Sequence, residues 1–333
     1  MWIFVEIKAL QMMSTNLAYL LLFVQQCMNR LEQKVGRGRP IVYSHSSMVL
    51  FFMVMMLKKK YGFKTMEKYA QEHYAVFGFP SAPDRKTIRR RFLDLPRVLH
   101  QLMPQIAKEC AQLDHKTFGF NWAFIDKSVF CALGGIWHKK HMIAGIVPHS
   151  SIDTDASWAK SAYHGWRFGY GLHVICNRNR FPISACVTTA SIKDYLQVEH
   201  LLTYLKNFIG LLIGDSGYQC AKIIEHLYQN SGILLQTPQK FADNTPISKW
   251  YNDLISCAQA YWTYRQRKPS IEPSFALIKE LFDLKGETKL PYKGLSKVQS
   301  FLTITPFTVQ ILMYDNFINK RNLGSLSAAL CYF

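Results

Sequence analysis

The chain has 333 residues, enough for one large domain and a smaller one with a substantial core. Hydrophobic residues make up 49% of the composition and charged residues 19%, which excludes a disordered or fibrous chain. The net charge of +18 favours a polyanionic partner, with nucleic acid ahead of an anionic membrane. The eight cysteines form no Cys-x-x-Cys pair, which argues against a structural zinc site and a disulfide framework.

Two apolar runs, residues 16–24 and 48–57, are too short to span a bilayer. The first residues also lack the basic segment of a secretory signal. We therefore expect a cytoplasmic protein that does not enter the membrane.

The first 115 residues are predicted to be helical, with a flexible basic connector at Gly36-Arg-Gly-Arg-Pro40. Its arginines would lie in a minor groove or form only a solvated linker, and the sequence favours neither. Helices are predicted at residues 46–60, 65–77 and 84–95.

The helix predicted at 84–95 has an apolar stripe of Ile88, Phe92 and Leu95. Its basic residues fall on another face: Arg85, Lys86, Arg89 and Arg90. A helix, a turn and a basic amphipathic helix are typical of helix-turn-helix DNA binding. The alternative is a basic surface helix that only packs, and the net charge favours DNA contact.

From Gly119 onward, strands alternate with helices, which predicts an α/β fold with a mixed sheet. Residues 120–126 form an apolar run that predicts a central strand with Asp126 at its end. Residues 137–168 are predicted to be a basic and aromatic loop, and residues 171–176 and 181–189 an antiparallel hairpin.

Asp194 is predicted to be the N-cap of a helix that runs to about Leu205. Residues 208–214 then predict a buried parallel strand that ends at Asp215. A helix at 221–229 and a short strand at 233–236 follow.

Glu272 is predicted to lie in or near the first turn of a helix, because apolar residues have helical spacing from Phe275 onward. Lys279 lies two turns later on the same face. Taken alone, this carboxylate could merely balance the helix dipole, and Asp126 and Asp215 could be turn formers.

Together, the three acids suggest a metal site. If the strands of Asp126 and Asp215 are neighbours and the helix of Glu272 packs across them, three oxygen ligands converge. Such ligands select Mg²⁺ or Mn²⁺, and two such ions would support phosphodiester cleavage.

The sequence resembles the DDE transposases of bacterial insertion sequences over roughly residues 36–316. The most specific motifs are Phe124-Ile-Asp126, residues 163–173, Ile213-Gly-Asp-Ser-Gly-Tyr218 and Ile271-Glu-Pro-Ser-Phe-Ala-Leu-Ile-Lys279. The resemblance implies a ribonuclease H-like core that uses Mg²⁺ to cut DNA at element ends and to join the freed 3′-hydroxyl to target DNA. It also implies that Asp126, Asp215 and Glu272 are the metal-binding acids.

One departure from the family pattern concerns the cations before Glu272. Many relatives carry a Tyr and an Arg at set distances before the Glu and a Lys seven positions after it. Lys279 fits, but Lys268 stands at the Arg position and Tyr264 is one position out of register. We therefore assign phosphate binding collectively to Arg265, Arg267 and Lys268, with Lys279.

We expect a helical DNA-binding region at residues 1–115, a ribonuclease H-like catalytic domain at 116–318 and a tail at 319–333. The expected partner is double-stranded DNA, and a homodimer is expected because two element ends must be paired. A location at the bacterial nucleoid follows. Two alternatives stay open: a catalytically silent DNA-binding protein derived from such an enzyme, and a metal-dependent nuclease without strand transfer.

Overall fold

The computed structural model describes residues 19–29, 42–161, 165–238 and 258–326. The connector predicted at residues 36–40 lies outside these ranges. The N-terminal part is helical, as predicted. Its helices are α1 (19–29), α2 (His45–Leu57), α3 (Phe63–His73), α4 (Arg85–Leu93), α5 (Leu95–Leu113) and α6 (His115–Phe118).

Strands and helices alternate after α6. The strands are β1 (Trp122–Cys131), β2 (Ser157–Ser161), β3 (Gly165–Asn177), β4 (Pro182–Thr189), β5 (Leu211–Ile213) and β6 (Leu234–Gln236). The helices are α7 (Lys139–Ile143), α8 (Val198–Leu202), α9 (Ala221–Ser231), α10 (Ala258–Arg265), α11 (Arg267–Leu281) and α12 (Leu295–Ile318). No helix in the described ranges is long and apolar enough to cross a membrane.

The six strands form one mixed sheet in the order β2-β3-β1-β5-β6, with β4 also paired to β3. Strands β2, β3, β4 and β1 pair antiparallel, whereas β5 runs parallel to both β1 and β6. Helices flank this sheet and a helical region precedes it. The predicted fold class, a ribonuclease H-like mixed sheet after an all-helical N-terminal region, is therefore confirmed.

Helix α12 joins the N-terminal helices to the sheet. Its side chains are buried almost continuously from Val298 to Asn316, and it contacts β4, α5, α2 and α4. The amide of Gln310 donates to the carbonyl oxygens of Met103 and Pro182, both at 2.9 Å. One apolar core thus extends from α2 to the sheet, and the domain boundary expected near residue 115 stays a prediction.

Two predicted boundaries are wrong. Strand β1 continues to Cys131, so Asp126 lies in its middle rather than at its end, because the long strand β3 keeps pairing with it as far as Gly169. The loop predicted at 137–168 contains α7, β2 and the start of β3. Cross-strand aromatic packing stabilises β2 there, with the rings of Trp158 and Phe168 5.5 Å apart.

The predicted N-cap role of Asp194 is also wrong. Asp194 begins a short 3₁₀ turn that ends at Gln197, and α8 then extends only to Leu202. The carboxylate forms a buried ion pair with Lys127 instead of accepting from a backbone N–H of the turn. A non-local partner has therefore replaced the local hydrogen bond that the spacing suggested.

Candidate active site

Asp126 of β1 and Asp215, two residues after the end of β5, stand level with each other, because β1 and β5 are adjacent and parallel. The register of β1 and β5 places Phe124 opposite Ile213, and each aspartate follows its strand residue by two positions. Gly214 lets the segment after β5 pass close to β1, since a Cβ at this position would lie 3.0 Å from Cγ2 of Ile125. The Asp215 carboxylate accepts a hydrogen bond from the Gly217 N–H at 2.9 Å, which fixes it at the turn after β5.

Arg267, the first residue of α11, binds Asp126 directly. Its Nη1 lies 2.8 Å from Oδ2 of Asp126, and both side chains are less than one-fifth exposed. Burial raises the pKa of the Asp126 carboxyl to about 6; Arg267 opposes this rise, and the charge of Asp215 adds to it. One guanidinium therefore does not fully compensate the two carboxylates.

From the sequence we predicted that Arg265, Arg267 and Lys268 bind phosphate collectively. In the structure, Arg267 contacts Asp126. Tyr264 is half-buried and hydrogen-bonded to Arg267. Burial raises the pKa of its hydroxyl, Arg267 opposes this rise, and the charges of Asp215 and Asp126 add to it. Arg265 and Lys268 have exposed side chains. Arg267 is thus the member of this cluster that lies closest to the acids.

Glu272 is placed differently from the two aspartates. Helix α11 begins at Arg267, so Glu272 lies in the second turn rather than the first, and its side chain is exposed. Ile271 follows Arg267 by four residues and is fully buried, whereas Glu272 follows by five and is turned about 140° from Arg267 around the helix axis. Among the described residues, no three His, Cys, Asp or Glu side chains are grouped closely enough to hold a metal ion.

Lys279 lies on the same flank of α11 as Glu272. Its ammonium is 5.7 Å from the ring centroid of Phe130 in β1. Burial lowers the pKa of Lys279 and the charge of Arg167 lowers it further, while Asp126 opposes both effects. This flank of α11 therefore also faces the strand that carries Asp126.

The opposite face of β1 carries a second buried ion pair that the sequence did not reveal. Lys127 forms an ion pair with Asp194, and its ammonium also donates to the carbonyl oxygens of Ala190 and Ile192 at 3.4 and 3.2 Å. Strand alternation alone predicts that Lys127 points away from Asp126. Its partner could not be found in this way, because Asp194 lies 67 positions further along the chain.

Asp194 and Asp215 flank the same glycine. A Cβ on Gly217 would lie 2.6 Å from Oδ2 of Asp194 and 3.0 Å from Oδ1 of Asp215. Burial raises the pKa of Asp194; Lys127 opposes this, and Asp215 adds to the rise. Asp215 therefore has a second carboxylate neighbour, which Lys127 compensates.

The imidazole of His173 is fully buried next to the Lys127–Asp194 ion pair. His173 is the cross-strand neighbour of Lys127, and its ring nitrogens lie 3.3 Å from the Tyr218 hydroxyl and 3.0 Å from Oγ1 of Thr188. Burial, and then the charge of Lys127, lower the pKa of His173 to about 3. Burial and the nearby carboxylates raise the pKa of Tyr218. A neutral imidazole and a neutral phenol thus close the site from behind.

The basic residues predicted to contact DNA lie on the surface of α4. Asp84 caps this helix by accepting a hydrogen bond from the Thr87 N–H at 2.8 Å. Ile88 and Phe92 face the core. The exposed side chains on the outer faces are Arg85, Lys86, Arg89 and Arg90.

Sequence comparison identifies the family. The family model described as "Transposase DDE domain" matches residues 140–309. The match includes Asp215, Glu272 and Lys279, and begins after Asp126. A comparison with curated proteins and one with solved structures found no significant match. The matched region covers half of the chain and contains most of the sheet, so the chain belongs to the transposase DDE domain family.

Proposed function

We propose that the protein cleaves DNA at the ends of an insertion sequence and transfers the freed 3′-hydroxyl to target DNA. The level arrangement of Asp126 on β1 and Asp215 just after the parallel strand β5, with Arg267 beside them, is the observation that carries this proposal. Membership of the family supports transposition in general. Cleavage and strand transfer are the specific steps that we infer for this chain.

Asp126 and Asp215 fit a hard divalent cation such as Mg²⁺ or Mn²⁺. Their donors are carboxylate oxygens, and a divalent cation would offset the burial and the repulsion by Asp215 that raise the pKa of Asp126. We propose Glu272 as the third ligand, supplied from the exposed flank of α11 that it shares with Lys279. Asp126, Asp215 and Glu272 would hold two such cations, which would supply activation of the attacking oxygen and stabilisation of the leaving one.

The cations of α10 and α11 would hold the DNA strand. Arg267 lies beside both carboxylates, so its guanidinium would meet a phosphate brought to them and bind it in a bidentate manner. Lys279 would bind the strand further along β1, near Phe130. Arg265 at the end of α10 and Lys268 at the start of α11 are exposed and would extend this contact.

The exposed basic face of α4 would bind the element ends through Arg85, Lys86, Arg89 and Arg90. In this proposal the region up to residue 115 binds DNA and residues 116–318 carry the chemistry. A homodimer on DNA would pair the two ends.

The experiment combines the protein with Mg²⁺ and DNA that carries the element ends. We expect strand cleavage and joining by the unmutated protein, and losses of at least about 100-fold for Asp126→Asn, Asp215→Asn and Glu272→Gln. Glu280→Gln is the matched control, because Glu280 is an exposed carboxylate further along α11.

Two outcomes would change the assignment. Cleavage that survives all three substitutions would exclude these acids as the site. Binding of the ends without cleavage, by a folded protein, would favour a catalytically silent DNA-binding protein. The exposed position of Glu272 is the observation that keeps this second candidate in view.

A further inference from the structure

An open cavity of about 510 Å³ lies next to the acid pair and is not used by the proposed chemistry. Residues from four parts of the chain line it, among them Trp158, Lys160, Trp166, Lys193, Ser216 and Gly217. Ser216 and Gly217 follow Asp215, and the Gly217 N–H donates to its carboxylate, so the cavity borders the turn that holds Asp215. Its volume lies within the roughly 300–1,000 Å³ range of small-ligand sites.

Two tryptophans form the aromatic wall of this cavity. The indole N–H of Trp158 donates to the carbonyl oxygen of Trp137 at 2.8 Å, and its ring packs 5.5 Å from that of Phe168. Trp166 stands 6.5 Å from Trp158 at 80° and is 58% exposed. Trp158 is thus anchored, whereas the ring of Trp166 offers aromatic surface to a ligand.

The surroundings of this wall are cationic. The ammonium of Lys139 lies 5.4 Å from the ring centroid of Trp166. Lys160, the cross-strand neighbour of Trp166, is exposed. The carboxylate at the cavity, Asp194, is compensated by Lys127. The cavity therefore combines aromatic surface with excess positive charge.

We propose that this cavity binds one unpaired nucleotide of the DNA strand that lies at the site of Asp126 and Asp215. An exposed indole offers a stacking surface for a base, and lysines around it attract the phosphate. Stacked, paired bases in a duplex cannot offer their faces to a side chain, so the ligand must be unpaired. The proposal rests on the proposed function, because it takes the strand beside Asp215 to be the substrate.

The test measures binding of a single-stranded oligonucleotide of about 12 nucleotides containing 2-aminopurine, with a chelator present so that no cleavage is required. Trp166→Ala is expected to weaken binding roughly 5- to 100-fold and to reduce the quenching of 2-aminopurine fluorescence. Trp166→Phe should keep most of the affinity, because it keeps an aromatic face. Affinity for a duplex of the same sequence should change less than 3-fold, since α4 and the α11 cations still bind it.

Trp262→Ala is the matched control. Trp262 is 49% exposed and lies 5.9 Å from the guanidinium of Arg178, outside the cavity. An unchanged single-strand affinity in Trp166→Ala, or an equal loss in Trp262→Ala, would overturn the proposal. Equal losses for single strand and duplex would also overturn it. The chelator separates this test from the proposed function, because loss of the catalytic assignment would not alter binding by Trp166.

Discussion

The two faces of β1 carry one buried ion pair each, and the pairs have different neighbours. On one face, Asp126 binds Arg267 beside the second carboxylate of Asp215. On the other face, Lys127 binds Asp194 and two backbone carbonyl oxygens as well. The exposure of the four side chains is nearly equal, between 14% and 19%, so burial alone does not distinguish the pairs.

The difference lies in how completely each cation is surrounded by its own partners. The ammonium of Lys127 is saturated by groups of this chain, which ties β1 to the segment before α8. Arg267 faces two carboxylates, and its guanidinium is bound to one of them, so this face keeps carboxylate oxygens that an external cation would bind. Similar ion pairs can therefore serve a structural purpose on one face of a sheet and a ligand-binding purpose on the other.

The largest expected effect is that of Lys127→Met. Removing one partner of a buried pair leaves the other charge uncompensated, so the free energy of unfolding should fall by about 3–5 kcal/mol. Urea denaturation at neutral pH measures this change. Lys160→Met is the control, because Lys160 is an exposed lysine of the same sheet and its loss should cost under about 0.5 kcal/mol. Equal effects of the two substitutions would contradict a structural role for Lys127.

Arg267→Met should lower the free energy of unfolding by less, about 1.5–3 kcal/mol. Divalent cations should restore part of this lost stability. Without the guanidinium, Asp126 and Asp215 repel each other more strongly, and Mg²⁺ or Mn²⁺ would replace the missing charge. Thermal unfolding with and without the ion measures this, and the increase in Tm should exceed that of the unmutated protein.

The control for this measurement is the double variant Arg267→Met with Asp215→Asn, in which the response to the ion should disappear. Lys127→Met should gain less stabilisation from the ion than Arg267→Met. If Lys127→Met responded as strongly as Arg267→Met, the two faces would not differ in the way described above.

The sequence predicted the strand before Asp215 and the strand that carries Asp126, because both contain compact apolar runs. It did not predict how far β1 extends, since that depends on a 13-residue partner strand later in the chain. The parallel register of β1 and β5, which places Asp126 and Asp215 side by side, also arises only when the sheet assembles, so the sequence could not predict it.

The orientation of Glu272 was not predictable from spacing, because the start of α11 was misjudged. The apolar spacing begins only at Phe275, whereas the helix itself begins at Arg267, and Pro269 is its third residue, where its missing N–H costs nothing. The helix therefore begins five residues before Glu272 and fixes its direction. The Lys127–Asp194 pair escaped prediction because it joins distant segments.

The smallest expected effect concerns a pH response where a histidine of α5 meets a histidine of α8. His100 of α5 stacks on His200 of α8 with ring centroids 4.1 Å apart. Burial, and then the charge of His200, lower the pKa of His100 to about 4 from an ordinary 6.5. Among described residues, its buried Nδ1 has no hydrogen-bond partner.

The fold favours the neutral form of His100. Its contribution to the free energy of unfolding is therefore complete above pH 6.5 and is lost as the pH falls towards 4. Partial exposure limits the loss to the order of 1–2 kcal/mol. Urea denaturation at several pH values should show this slope in the unmutated protein and a flatter one in His100→Phe. An unchanged slope in His100→Phe would mean that the acid sensitivity comes from elsewhere, such as the buried carboxylates on the two faces of β1.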